Sequence, residues 1–263
     1  MARVQVEHIM GTVISIDVRD AIAVDVEPAF AWFREVDARF STYKSDSEIN
    51  RIAHGELDLA NAHQDVREVL ALCDMVSARS GGAFSIRRTG DPSVLDPSAV
   101  VKGWSVDRAA AMLDAVGVRN FCINAGGDVV TRGAPEPGRP WRVGIRHPSE
   151  PDRSVAIVLA TDLAVATSGL YERGGHIVNP IDGAVPTDVV SMTVAGASLA
   201  LADAYSTAAF VMGRDGVAWV ATLGGYCACA VTADWRRVST PEFRSRLDEP
   251  LDQSAGSEVH DRG

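Results

Sequence analysis

The sequence predicts an α+β fold: a single domain with a mostly antiparallel sheet and flanking helices, possibly divided into two lobes. Three observations carry this prediction. Several short segments alternate apolar and polar residues, as half-buried strands do. Other segments repeat apolar residues every three or four positions, as helices that cover a sheet do. No internal repeat or low-complexity linker divides the 263 residues.

The predicted strands begin near the N-terminus, where residues 4–6 and 13–18 alternate around a turn at residues 10–12. A buried strand is predicted at 121–124, followed by the turn AGGD and a second strand that starts at Asp128. Two further alternating segments contain Trp141, Val143 and Ile145, and Val155, Ile157 and Leu159, and they are expected to pair. A strand at 189–195 and a final hairpin complete the sheet.

The predicted helices follow from apolar spacing and end signals. Their diagnostic residues are Phe30, Phe33, Val36 and Phe40 in the first helix, a capping box at 45–48 before a short helix at 48–53, Val66 to Val76 before Gly81-Gly82, and Val106 to Leu113 before Gly117. A small-residue helix at 197–213 and a shorter one at 216–223 follow. Residues 83–101 are expected to form a loop with short strands.

Composition excludes several classes of function. The net charge of −10 argues against a nucleic-acid or anionic-membrane partner. No apolar stretch is long enough for a membrane span, and the N-terminus lacks the pattern of a signal peptide or lipobox. The four cysteines suit core positions in a reducing compartment, so a cytoplasmic location is expected. The domain is predicted at residues 1–244, with a disordered acidic tail at 245–263.

Asp203 and Thr207 are one helical turn apart in the segment ASLALADAYSTAAFVMG, so their side chains project together. Two hard oxygen donors on one face suit Mg²⁺, which takes few protein ligands and leaves the rest to phosphates and water. The spacing alone favours a solvated stripe, or a threonine that bonds back to the helix carbonyl four residues earlier.

Other candidate groups are weaker in isolation. The turn NAGGD could expose N–H groups to an anion, or be an ordinary hairpin turn. Lys102 and Gly103 are expected at a helix start, where a lysine and N-terminal N–H groups would bind phosphate, although a lone lysine is usually a surface residue. Ser168 lies outside any GxSxG elbow, and His176 could be a general base or a structural histidine.

Seven segments occur in an order that resembles the ApbE-like family, the FAD:protein FMN transferases. They are MGT, FSTYKSDSEIN, KGWSVDRAA, NAGGD, ATSG, HIVNPIDG and ADAYSTAAFVMG, and they extend from Met10 to Gly213. The resemblance implies a T-fold-related architecture. It also implies a magnesium-dependent transferase that uses FAD as substrate, moves FMN onto a serine or threonine hydroxyl of an acceptor protein, and releases AMP.

The resemblance also implies residue roles. Asp203 and Thr207 match the magnesium ligands, with the backbone carbonyl of Val101 as the third. Met10 and Tyr43 match the flavin site. The remaining matches lie around the adenosine and the pyrophosphate or line the cavity that holds them. They are Lys102, Asp107, Gly126, Gly127, Asp128, Thr167, Ser168, Gly169, His176 and Ile177. His176, Asp203 and Thr207 are the expected catalytic residues.

Two departures from the family pattern stand out. Asn179 and Asp182 replace an acid and a threonine, and the segment between Gly82 and Lys102 is short. An FAD pyrophosphatase and a non-catalytic flavin-binding protein remain alternatives. Acceptors carry the pattern Asp-x-x-Ser/Thr-Gly-Ala-Ser/Thr. The nearest match here, MTVAGAS at 192–198, lacks the acid and the hydroxyl, so no covalent flavin is expected on this chain.

Overall fold

The computed structural model describes residues 3–21, 24–88, 91–150, 152–169 and 177–248. The strands are β1 (Arg3–Ile9), β2 (Thr12–Val18), β3 (Arg87–Arg88), β4 (Asp91–Leu95), β5 (Phe121–Ala125), β6 (Asp128–Arg132), β7 (Trp141–Arg146), β8 (Ser154–Ala160), β9 (Ala164–Gly169), β10 (Val189–Gly196), β11 (Cys227–Thr232) and β12 (Arg237–Ser239). The helices are α1 (Glu27–Phe40), α2 (Glu48–Ala53), α3 (Gln64–Arg79), α4 (Ser98–Ala115), α5 (Leu199–Val211), α6 (Asp215–Ala221) and α7 (Pro241–Arg244). Most of the predicted tail lies outside these residues.

The sheet confirms the predicted α+β class. Eight strands pair in the order β1-β2-β5-β6-β9-β10-β11-β12, and every pair is antiparallel. The hairpin β1–β2 closes at Ile9↔Thr12, as predicted. The next pairing is remote in sequence, because Ile14 of β2 pairs with Ala125 of β5.

Both faces of the sheet carry a hydrophobic core. The larger core lies under the helices and contains residues such as Phe33 and Phe210. The smaller core packs β7, β8 and Phe243 of α7 against the opposite face. One continuous sheet joins the two cores, so the chain forms a single domain. Cys227 and Cys229 both belong to the smaller core, as expected for residues two apart in a strand.

The remaining cysteines are also structural. All four cysteine thiols are free. Burial raises the pKa of the Cys73 thiol to about 12 and has the same effect on Cys122. Thiols of this kind stay protonated and behave as small apolar side chains. No helix among the described residues is long and apolar enough to cross a membrane.

Two strand predictions need correction. The β7–β8 pair is confirmed, but β8 buries Ala156, Val158 and Ala160 rather than the odd-numbered apolar residues. Strand β9 was missed, because the segment AVATSG has neither alternation nor large apolar residues. It lies in the middle of the sheet, where small side chains let helix α5 approach closely.

Helix starts differ from the prediction at two places. The cap of α2 is Ser47, whose side chain accepts from the Asn50 N–H, and not Ser45. Helix α4 begins at Ser98, inside the segment expected to be loop. Val100 and Val101 have low helix propensity, but both are buried (0% and 3% exposed), and tertiary packing overrides propensity. Lys102 is therefore in the second turn of α4, away from the N-terminal N–H groups.

Gly103 allows α4 and α5 to cross at very short range. A Cβ at this position would lie 2.4 Å from the carbonyl oxygen of Leu199 and 2.6 Å from the Ala200 nitrogen, both backbone atoms. Backbone atoms cannot rotate away as a flexible side chain can. The glycine beside Lys102 is thus a packing requirement that places the start of α5 against α4.

We expect Gly103→Ala to lower the free energy of unfolding by about 1–3 kcal/mol, because the two helices must separate to admit the methyl group. Urea denaturation measures this change. Gly224→Ala is the matched control, since its Cβ would meet no described atom within 4 Å. Equal unfolding midpoints for the two variants would contradict the close crossing.

Candidate active site

A cavity of about 500 Å³ opens between α5, the start of α4 and the end of β9. This volume lies in the range of small-molecule sites. Ten predicted site residues line it: Met10, Tyr43, Val101, Lys102, Thr167, Ser168, Gly169, Ile177, Asp203 and Thr207. A shallower groove beside it shares Met10, Gly11 and Asp37 with the cavity. The structure therefore brings together most of the residues that the sequence singled out.

Helix α5 carries Asp203 and Thr207, which both line this cavity. Its N-cap is Ser198, whose hydroxyl accepts from the Leu201 N–H. Asp203 is only 4% exposed, so the solvated-stripe interpretation of this pair is excluded. The Thr207 hydroxyl lies 3.1 Å from the Ser168 hydroxyl of β9. The buried Asp203 carboxylate and the Thr207 hydroxyl together offer hard oxygen ligands to a cation.

Lys102 connects two buried carboxylates at the cavity wall. Its Nζ atom lies 2.5 Å from Oδ2 of Asp128 and 3.5 Å from Oδ2 of Asp203. The other oxygen of Asp128 accepts from the Thr167 N–H at 3.0 Å. Asp128 is 2% exposed, and buried carboxylates require such partners. Asp128 thus orients Lys102 and β9, while its own side chain is not part of the cavity wall.

The glycine turn between β5 and β6 has a structural role in this fold. Gly126 and Gly127 adopt φ values of 63° and 102°, which favour glycine. The Gly126 N–H donates to the Val13 carbonyl at 3.0 Å, and the Gly127 N–H donates to Asn124 Oδ1 at 2.8 Å. Both N–H groups therefore already have acceptors within the fold, one in strand β2 and one in the turn itself.

Asp107 holds the N-terminus of α5 instead of lining the cavity. Its carboxylate accepts from the Ser198 hydroxyl at 2.8 Å, the Leu199 N–H at 2.9 Å and the Ala200 N–H at 3.0 Å. Burial raises the pKa of Asp107, and the hydrogen bonds from the two N–H groups partly offset that shift. Together with Gly103 it fixes α5, and hence Asp203 and Thr207, against α4.

Met10 and Tyr43 also line the cavity. Met10 has a φ of 57° in the turn before β2, and its Sδ atom lies 3.8 Å from the Ser105 hydroxyl, which donates to the Lys102 carbonyl. Tyr43 is 95% exposed, so its ring is free to cover a ligand. An exposed aromatic ring beside a methionine suits a planar apolar ligand.

The segment between Gly82 and Lys102 contributes more of the wall than the sequence indicated. Cavity residues from it include Phe84, Ser85, Asp96 and Ala99. Sequence analysis missed them because the segment is short and aperiodic. The only signal was its position, directly between the Gly81-Gly82 helix end and the Lys102 motif.

The segment after β9 is described in part. His176 lies outside the described residues, whereas the following Ile177 is buried and lines the cavity. At the two departures from the family pattern, Asn179 Oδ1 accepts from the Ile181 N–H and Asp182 Oδ1 accepts from the Ala184 N–H. These side chains close a turn on itself, which is a sufficient structural reason for their presence.

The donor set can accommodate a divalent cation. No cluster of three or more His, Cys, Asp or Glu side chains that could hold a metal ion occurs among the described residues. Asp203, Thr207 and Val101 instead offer one carboxylate, one hydroxyl and one backbone carbonyl beside a cavity. Mg²⁺ is commonly bound by one or two carboxylates with the remaining positions left for phosphate and water.

Comparison with known proteins identifies the class. The model of the ApbE family matches residues 10–89 and 85–230, and the chain belongs to that family. The resemblance noted from the sequence motifs is thereby confirmed.

An FAD:protein FMN transferase of Rhodobacter capsulatus is 39% identical over 171 residues, which cover 61% of this chain and 32% of that protein. One from Vibrio cholerae is 37% identical over 131 residues, covering 46% of this chain and 39% of that protein. These matches span less than half the length of the curated relatives. The solved flavin transferase ApbE from Vibrio cholerae shares the fold, with a TM-score of 0.81, 24% identity, and coverage of 94% of this chain and 100% of that structure.

We expect Asp107→Ala to destabilise the protein without FAD by about 1–3 kcal/mol, because buried N–H donors at the start of α5 lose their acceptor. Thermal unfolding in the absence of ligand measures this loss. Asp114→Ala, on the same helix, removes surface ion pairs with Arg119 and Arg132 and should cost at most about 1 kcal/mol. A loss that appears only with FAD present would indicate direct contact between Asp107 and the ligand.

Proposed function

We propose that this protein is a magnesium-dependent FAD:protein FMN transferase. It would transfer FMN from FAD to a serine or threonine hydroxyl of an acceptor protein and release AMP. Membership of the ApbE family and the names of its relatives support this proposal. The free, core-forming cysteines support a cytoplasmic location.

The observation that carries the proposal is the shared cavity. Asp203, Thr207 and Lys102 line it together with Met10 and Tyr43. FAD has a planar apolar ring system at one end and a pyrophosphate in its middle. A cavity lined by an aromatic ring and a thioether together with an ammonium group and several oxygen donors is complementary to such a molecule.

The proposed metal ligands are Asp203, Thr207 and the Val101 carbonyl. Magnesium bound there would polarise the phosphoryl group and neutralise charge as the bond to AMP breaks. Lys102 supplies a fixed positive charge beside these ligands, which matters because the whole chain carries a net charge of −10. Asp128 would hold that ammonium in position.

The remaining predicted residues fall into two groups, those that line the cavity and those that do not. Thr167, Ser168, Gly169 and Ile177 line the cavity and would contact the dinucleotide. Gly126, Gly127 and Asp107 would act indirectly, since their polar groups are used within the fold. The single-domain assignment to residues 1–244 is retained as part of the proposal.

In the proposed reaction, the acceptor hydroxyl oxygen forms a bond to the phosphorus of the FMN moiety. The bond between that phosphorus and the bridging oxygen of the pyrophosphate breaks, and AMP leaves with the bridging oxygen and the electron pair of the bond. The hydroxyl proton passes to a general base, for which His176 is the candidate. Its sequence neighbour Ile177 lines the cavity.

The decisive experiment is incubation with FAD, Mg²⁺ and a peptide bearing the acceptor pattern, followed by mass spectrometry. A gain of one FMN on the peptide is expected. Asp203→Asn should lower the transfer rate by roughly 100-fold or more, because several kcal/mol of charge stabilisation are lost. Asp215→Asn, at an exposed site on α6, is the control and should transfer normally.

Two other outcomes would overturn the transferase assignment. FMN and AMP released without a mass gain on any acceptor would indicate an FAD pyrophosphatase. Tight FAD binding without turnover, unaffected by Asp203→Asn, would indicate a flavin-binding protein.

We expect His176→Ala to lower the FMN transfer rate by roughly 10²–10⁴-fold while FAD binding is retained, since a general base contributes about that much. Single-turnover transfer and FAD fluorescence titration separate the two effects. Transfer at the wild-type rate would exclude His176 as the base.

A further inference from the structure

Three hydroxyl groups form a connected chain behind the candidate metal ligands. The Ser168 Oγ of β9 lies 2.8 Å from the Ser206 Oγ and 3.1 Å from the Thr207 Oγ1 of α5. Ser206 Oγ also lies 2.9 Å from the backbone carbonyl oxygen of Asp203. Ser206 is 0% exposed and Ser168 is 6% exposed, so water does not compete for these bonds.

The carbonyl group sets the direction of this chain. A carbonyl oxygen can only accept, so Ser206 donates its single hydroxyl proton to Asp203. Ser206 must then accept from Ser168, which uses the proton of Ser168. Ser168 in turn accepts from Thr207. All three contacts are hydrogen bonds at once only in this order: Thr207 to Ser168, Ser168 to Ser206, and Ser206 to the Asp203 carbonyl.

The consequence concerns the lone pairs of Thr207. With its proton directed at Ser168, the hydroxyl oxygen keeps its lone pairs for the cavity side. A proton on the cavity side would instead repel a cation. In many metal sites, a hydrogen bond from a ligating histidine to a carboxylate fixes the orientation of the histidine. The hydroxyl chain would fix the orientation of the Thr207 hydroxyl in the same way.

We propose that Ser206 and Ser168 are positioning residues that orient the Thr207 hydroxyl for divalent-cation binding. This inference rests on the proposed function, because it requires the cation. Ser206 acts through Ser168, whereas Ser168 acts on Thr207 directly. The chain also ties the two ligand residues together, since it begins at the Thr207 side chain and ends at the backbone of Asp203.

The test measures binding of Mn²⁺ to the full-length protein, with and without FAD. The EPR signal of the free ion reports how much Mn²⁺ remains unbound. We expect Ser206→Ala to weaken Mn²⁺ binding on the order of 10-fold, as is usual for residues that orient a metal ligand. Ser191→Ala is the matched control. It removes the same atom from another buried serine (1% exposed), whose hydroxyl has no hydrogen-bond partner among the described residues.

A double-mutant cycle separates this orienting role from a general loss of packing. Ser168→Ala should also weaken Mn²⁺ binding, and Ser206→Ala should cost nothing further in the Ser168→Ala background. If Ser206→Ala does not fold, Ser168→Ala measured without FAD tests the same orientation, since no contact between Ser168 and the dinucleotide is then involved.

Wild-type affinity in Ser206→Ala, or losses that add in the double variant, would overturn the orienting role. Wild-type Mn²⁺ binding and FMN transfer would leave the proposed function intact in that case. Absence of Mn²⁺ binding by the wild-type protein would overturn both the orienting role and the metal site on which it rests.

Discussion

The contact between α4 and α5 is the constraint on which the rest of this molecule depends. Gly103 lets the two backbones meet at a distance that a methyl group would prevent. Asp107, four residues later on α4, accepts from donors at the start of α5 and so sets its axial position. Lys102 faces the cavity from the same turn. The motif KGWSVD thus encodes one charged side chain for the site and two devices that place the neighbouring helix.

The site residues then fall into two kinds. Those on the cavity wall, such as Thr207, present oxygen or apolar atoms to the space where a ligand would lie. Those behind the wall, such as Asp128 and Ser206, use buried hydrogen bonds and ion pairs to fix the first group. The second kind is as buried as the core, yet polar, and each member costs free energy unless its bonds are made. Such groups are retained where orientation matters more than stability.

Sequence reasoning predicted the periodic parts of the fold and the composition of the site, but not the spatial roles. Helix α1 and the hairpin β1–β2 follow from local patterns of large apolar residues. Strand β9 and the first turn of α4 could not be predicted, because their conformations depend on packing against distant segments. Asp107 was assigned to the ligand on resemblance. Its capping role needs the position of α5, which no local pattern contains.

The pairing of β2 with β5 has a consequence for how the cavity comes into being. Ile14 and Ala125 become neighbours only after a loop of about 110 residues closes, and the walls of the cavity come from segments spread between Met10 and Val211. Closing such loops is entropically costly, and contacts of high sequence separation form slowly. A nascent or partly unfolded chain therefore has no rudimentary pocket. Ligand recognition becomes available only when these separate segments have assembled, so affinity for a ligand reports on the integrity of the fold that brings them together.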